Sequence, residues 1–200
     1  KKLTKCEIVQ GNINNSKILK RINQKISKLD VLICNIGSGK SVSTGKETKK
    51  DWEKSLNQNF YSAVNAIKVF EKKLIKSKGI IICISSICGM EFIQGAPITY
   101  SVSKAALNAF VRFHSKYLGA KGVRLNAIAP GNILFKGSTW EKKLRKNKRK
   151  VLKQISQEVS LKKFGSAEDV ADLVNYLIKD SSKFINGSII VADGGQIRGI

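Results

Sequence analysis

The chain has 200 residues, 42% hydrophobic and 26% charged, a balance that suits one globular domain and excludes a disordered or fibrous chain. No run of about 18 apolar residues occurs, so no membrane-spanning helix is expected, and the opening Lys1 to Lys5 does not read as a secretory leader. Thirty-seven Lys and Arg against fourteen Asp and Glu give a net charge of +23, yet only six of them are Arg and the lysines are scattered, which reads as compositional bias rather than a nucleic-acid surface.

The elements alternate along the chain. Cys6–Val9 reads as a short strand, and Ser16–Ser27 has the apolar spacing of a helix at Ile18, Leu19, Ile22 and Ile26. Val31–Ile36 reads as a buried strand and Asp51–Lys76 as a long helix. Ile80–Ile84 follows as a strand, Thr99–Leu118 as a helix and Val123–Ile128 as a strand. Lys142–Val159 reads as a very basic helix, Ala167–Ile178 as an amphipathic helix capped by Ser166, and Ser188–Val191 as a last strand. Strands alternating with helices predict a doubly wound parallel sheet with helices on both faces, a three-layer α/β/α fold over residues 1–200. Ligands of such sheets bind beyond the carboxyl ends of the strands. Cys6, Cys34, Cys83 and Cys88 lack zinc spacing and read as reduced core thiols. His114 reads as a helix-surface residue, and no group of residues suggests a metal.

The chemistry centres on Tyr100-Ser101-Val102-Ser103-Lys104. Tyr and Lys four apart share a helix face. A free tyrosine titrates near 10, and a neighbouring ammonium lowers that value, so the pair suits proton transfer nearer neutrality. Ser85-Ser86 follows a strand, Asn35, Gly37 and Gly39 follow another, and Pro130-Gly131 closes a third. Asn59 sits inside the long helix, where Asn is mildly unfavourable and either faces solvent or serves a special role.

These segments together resemble the short-chain dehydrogenases/reductases. Leu32-Ile33-Cys34-Asn35-Ile36-Gly37 resembles the family's fourth-strand motif, and Asp51-Trp52 to Asn59 its helix with the tetrad Asn. Ile84 to Gly89 resembles the catalytic-Ser segment, Tyr100 to Lys104 the Tyr-Lys segment, and Arg124 to Gly131 the RxNxxxPG segment. Phe164 to Ala171 and Val191 to Gly195 resemble the two C-terminal motifs. The resemblance is to the single-domain type that includes 3-oxoacyl-carrier-protein reductases. It implies hydride transfer between NAD or NADP and a ketone or secondary alcohol, in a cytoplasmic homodimer or homotetramer paired through the two long helices.

By the same resemblance Tyr100 is the general acid/base, and Lys104 lowers its pKa and holds the nicotinamide ribose. Ser86 orients the carbonyl, and Asn59 holds a water next to Lys104. Asn35, Gly37 and Asn12 would lie on the adenosine side, and Pro130, Gly131 and Ile133 on the nicotinamide side. Asn12 stands where the family often has Asp, and Phe135 where it often has Thr. The resemblance begins at the family's third strand, and none of the sixteen glycines forms the glycine-rich pyrophosphate turn of a first βαβ unit. Either that unit precedes Lys1, or tight cofactor binding is lost and the chain is an impaired scaffold or dimerisation partner. Residues 136–162 form a basic segment over the substrate loop, with seven Lys or Arg among the ten residues from Glu141 to Lys150. It reads as a solvated helix face, with an electropositive lid for an anionic substrate or a nucleic-acid contact as the rival readings.

Overall fold

A computed structural model describes residues 6–198. Four parallel strands, β1 (Val31–Cys34), β2 (Ile80–Ile84), β3 (Arg124–Pro130) and β4 (Ile189–Ala192), lie side by side in chain order. The register runs Val31 to Ile80, Ile80 to Arg124 and Ala127 to Ile189, so the carboxyl ends of the strands finish on one side of the sheet.

Alternation sorts the side chains between two faces. Ile81, Cys83, Leu125 and Ala127 pack against one layer, made of α1 (Ser16–Lys25), α3 (Ser62–Ser77) and α4 (Ile98–Gly119). Ile82, Ile84 and Ile128 face the other layer, where α7 (Ala167–Leu177) packs through Val170, Leu173, Val174 and Leu177. The three-layer parallel architecture is as expected. The sheet advances in one direction throughout, yet its first two crossovers pass over one face and the third over the other. The third crossover therefore has the opposite hand from the first two, an exception to the usual right-handed rule.

Local chemistry sets the helix starts. Thr48 and Asp51 form a reciprocal cap on α2 (Lys49–Leu56), and Ser166 and Asp169 do the same on α7. The long helix expected over Asp51–Lys76 is one continuous rod made of α2, a π-helical turn at Asn57–Tyr61, and α3. The basic segment is two helices rather than one, α5 (Thr139–Lys146) and α6 (Lys148–Glu158). The break falls at Asn147, whose extended backbone and side-chain bond to the Lys150 N–H cap the second helix.

Three further expectations fail. Val31–Ile36 is not buried, with Ile33 48% and Ile36 47% exposed. Cys6–Val9 is not a strand: among the described residues no strand pairs with residues 6–10, and Ile8 is 87% exposed. A strand without a ladder partner has no hydrogen bonds to hold it. The cysteines are free, but only Cys83 is fully buried; Cys34 and Cys88 are half-buried and Cys6 is exposed, since it lies in that unpaired segment. His114 is half-buried, stacked between Phe110 and Tyr117 on α4. Among the described residues no helix is long and apolar enough to cross a membrane.

Candidate active site

The carboxyl ends of β1 and β2 and the first turns of α4 converge on one cleft. Ser86 leaves β2 and enters a single 3₁₀ turn, Ile87–Gly89, with the Cys88 N–H donating to its Oγ at 3.2 Å. That turn lies directly on α4: a Cβ at position 89 would stand 2.6 Å from the Lys104 carbonyl carbon, so only glycine allows this approach. Asn108 fastens the same turn, accepting from Ser85 Oγ at 2.5 Å and donating to the Gly89 carbonyl at 3.2 Å. Sequence reasoning passed over Asn108, although it sits one helical turn beyond Lys104 on the same face.

The result brings the Ser86 hydroxyl close to the Tyr100 phenol. Burial raises the Tyr100 pKa above its ordinary value, and the nearby Ser86 hydroxyl opposes that rise. Lys104 does not lower it here, contrary to the expectation from the spacing. Its ammonium donates to the Ile84 carbonyl at 2.8 Å and lies over the Tyr100 ring, 5.8 Å from its centre. Lys104 is only 3% exposed, and burial lowers its pKa to about 8, against a weak pull upwards from the Cys83 and Cys88 thiols.

Asn59 does not face solvent; it is 1% exposed, in the π-helical turn. Its Oδ1 accepts the Ser38 N–H at 2.8 Å, and its Nδ2 donates to the Ser38 and Ser55 carbonyls, both at 3.1 Å. The wider turn re-aims one side chain out of the helix toward the loop after β1, a usual service of π-turns. Gly37 closes the group: a Cβ there would stand 2.9 Å from Asn59 Oδ1 and 3.1 Å from Lys104 Nζ. The structure thus brings Ser86, Tyr100, Lys104, Asn59 and Gly37 together.

Next to this group lies a cavity of about 500 Å³ at the carboxyl ends of the strands. Asn35, Pro130 and Ile133 line it, with Ile33, Ile84 and Phe135. Three residues expected to touch a cofactor therefore share one wall, and Gly131 follows Pro130 at its edge. Asn12 does not join them; it is exposed, and its side chain accepts the Asn14 N–H within its own turn. The basic residues of α5 and α6 face solvent, and Arg145 pairs with Glu141 at 3.0 Å.

The family model described as Enoyl-(Acyl carrier protein) reductase matches residues 4–196. A 3-oxoacyl-[acyl-carrier-protein] reductase of Thermotoga maritima is 30% identical over 183 residues, covering 90% of this chain and 71% of that protein. The chain belongs to the short-chain dehydrogenase/reductase family. Isoepoxydon dehydrogenase of Penicillium expansum is 33% identical over 173 residues, 86% of this chain and 65% of its own length. Among solved structures, YwfH, an NADPH-dependent reductase of bacilysin biosynthesis, superposes with a TM-score of 0.85 at 29% identity, covering 95% of this chain and 77% of that one. The chain spans about two-thirds to three-quarters of the length of these short-chain dehydrogenases/reductases, a family of oxidoreductases.

Proposed function

We propose that the protein moves a hydride between NAD or NADP and a ketone or secondary alcohol, with Tyr100 as its proton donor and acceptor. The observation that carries this reading is the placing of Ser86 and Tyr100 side by side with a buried Lys104, whose Nζ lies 5.8 Å from the centre of the Tyr100 ring, at the edge of a cavity that opens where the strands end. Solved relatives of the same fold are described with NADP or NAD bound.

The residues present suit the nicotinamide end of such a cofactor. Ile33, Ile84 and Ile133 offer flat apolar walls, and Gly37 leaves the approach to Lys104 and Asn59 open. Asn35, Pro130, Gly131 and Ile133 would hold the cofactor, with Lys104 directed to its ribose. When bound, the cofactor supplies or takes the hydride at the carbonyl carbon.

The protein's own groups handle the proton. Ser86 donates a hydrogen bond to the carbonyl oxygen and fixes its direction. Tyr100, protonated at neutral pH like any tyrosine and held so more firmly by burial, gives its phenolic proton to the same oxygen in reduction and takes one back in oxidation. Lys104, cationic below about pH 8 and held on the Ile84 carbonyl, serves the cofactor ribose in this reading rather than the phenolate. Asn59 holds the loop after β1 against this group. Self-association through α3 and α4 into a homodimer or homotetramer belongs to the same reading, supported by the exposed Tyr61, Phe113 and Tyr117.

Consumption of NADH or NADPH in the presence of a panel of small ketones tests the proposal. Turnover with at least one pair supports it; binding of either cofactor without any hydride transfer overturns it in favour of a scaffold.

A further inference from the structure

Asn108 is a polar side chain in a place that favours an apolar one. It is 6% exposed on α4, and its neighbours on the helix, Leu107 and Val111, are sealed into the core. Asn is unfavourable inside a helix, and burying its amide is costly unless both ends are bonded. Both ends are bonded, and both bonds go to the same short segment. Oδ1 accepts from Ser85 Oγ at 2.5 Å, and Nδ2 donates to the Gly89 carbonyl at 3.2 Å. The Gly89 carbonyl can only accept, so it fixes which end of the amide faces it and leaves Oδ1 for the Ser85 hydroxyl.

These two partners bracket Ser86. The Ser85 N–H is tied to the Ile128 carbonyl at 2.7 Å, so the sheet fixes the chain up to that point. Beyond it the chain makes one 3₁₀ turn, closed by the Gly89 N–H to the Ser86 carbonyl at 3.0 Å and the Met90 N–H to the Ile87 carbonyl at 2.9 Å. A single turn of this kind is too short to hold itself. The Cys88 N–H on Ser86 Oγ is a bond within the turn and does not tie it to the rest of the fold. Asn108 supplies that tie, from the helix that also carries Tyr100 and Lys104.

We propose that Asn108 is a positioning residue: by holding the turn at Ser85 and Gly89 it sets the Ser86 hydroxyl against the Tyr100 phenol, so that both reach one substrate oxygen. The assignment rests on the reductase reading above for its effect on turnover, while the hold on the turn can be measured without any reaction.

Two variants of the intact protein test it. Asn108→Leu removes both bonds at similar volume; Ser85→Ala removes one and leaves α4 unchanged. Amide hydrogen exchange is followed first, and kcat, KM and cofactor Kd are then measured with NADH or NADPH and a ketone that the wild type turns over. In Asn108→Leu the Cys88 and Gly89 amides should exchange about ten-fold faster while those of α3 keep their rates. Its kcat should fall about 10- to 100-fold, with KM and cofactor Kd within about three-fold of wild type. Ser85→Ala should show a smaller change of the same kind, and the double variant should be no worse than Asn108→Leu alone, since both break one network.

Unchanged exchange at Cys88 and Gly89, faster exchange throughout α3 as well, or a loss confined to KM overturns the assignment. So does a kcat within about two-fold of wild type. If Asn108→Leu does not fold, Ser85→Ala decides by the same readings. If the wild type turns over no ketone, the reductase reading falls, and with it the effect on catalysis; the exchange rates then decide whether Asn108 holds the turn.

Discussion

The two faces of the sheet are finished to different degrees. On the α1, α3 and α4 face, Ile67, Leu74, Ile81, Val111 and Leu125 are all but sealed from solvent, and nearly every polar group of the cleft has a partner. On the α7 face, only Ile82, Ile128 and Leu177 are fully buried, and Ile33 of the edge strand stays 48% exposed. The groups proposed to handle the proton hang from the closed side, while the cavity proposed for the nicotinamide opens on the other.

Substitutions on the two faces should separate this contrast. Leu74→Ala, in the sealed layer, should cost about 2–5 kcal/mol in urea unfolding. Ile33→Ala, on the open side, should cost less than about 1 kcal/mol. Equal losses would mean that the faces are equally packed.

Within the closed side, Asn59→Ala leaves the Ser38 N–H and carbonyl without their partner. A loss of about 1–3 kcal/mol in thermal unfolding is expected, together with weaker cofactor binding. Asn59→Asp should keep the bond from the Ser38 N–H and lose the one to its carbonyl.

Lys104 gives a smaller effect with a definite sign. Its folded pKa, about 8, lies below the usual lysine value near 10.5, so the folded protein sheds this proton first. Between about pH 8 and 10.5 the unfolded chain binds more protons here, and this residue's contribution should make stability rise with pH. The raised pKa values of Tyr100, Cys83 and Cys88 act in the opposite sense, their contribution being lost as pH rises through their folded values. The difference between wild type and Lys104→Met isolates the lysine: wild type should gain on the variant as pH rises from 8 to 10. A gap that stays flat would place the Lys104 ammonium in water.

Much of this was legible in the sequence where the pattern and its cause are local. The apolar spacing of α1 and α7, the cap at Ser166, and the strand Ile80–Ile84 all depend on neighbours within a few residues. The cleft was legible because residues that follow parallel strands must gather at one end of the sheet. What escaped depends on distant partners. Cys6–Val9 has the composition of a strand but no ladder to join. The π-helical turn at Asn57–Tyr61 accompanies Asn59's bonds to the loop after β1, which periodicity does not reveal. The direction of the Tyr100 shift is set by burial and by a lysine turned toward Ile84, neither visible in a four-residue spacing. The break at Asn147 did leave a signal, an Asn placed as an N-cap, that the long basic run obscured.

The central claim is that Tyr100 moves the proton, and Tyr100→Phe tests it most directly. With a ketone and cofactor that the wild type turns over, kcat should fall by about 10²–10⁴, while circular dichroism and cofactor binding stay as in the wild type. Turnover within a few-fold of wild type would contradict the account.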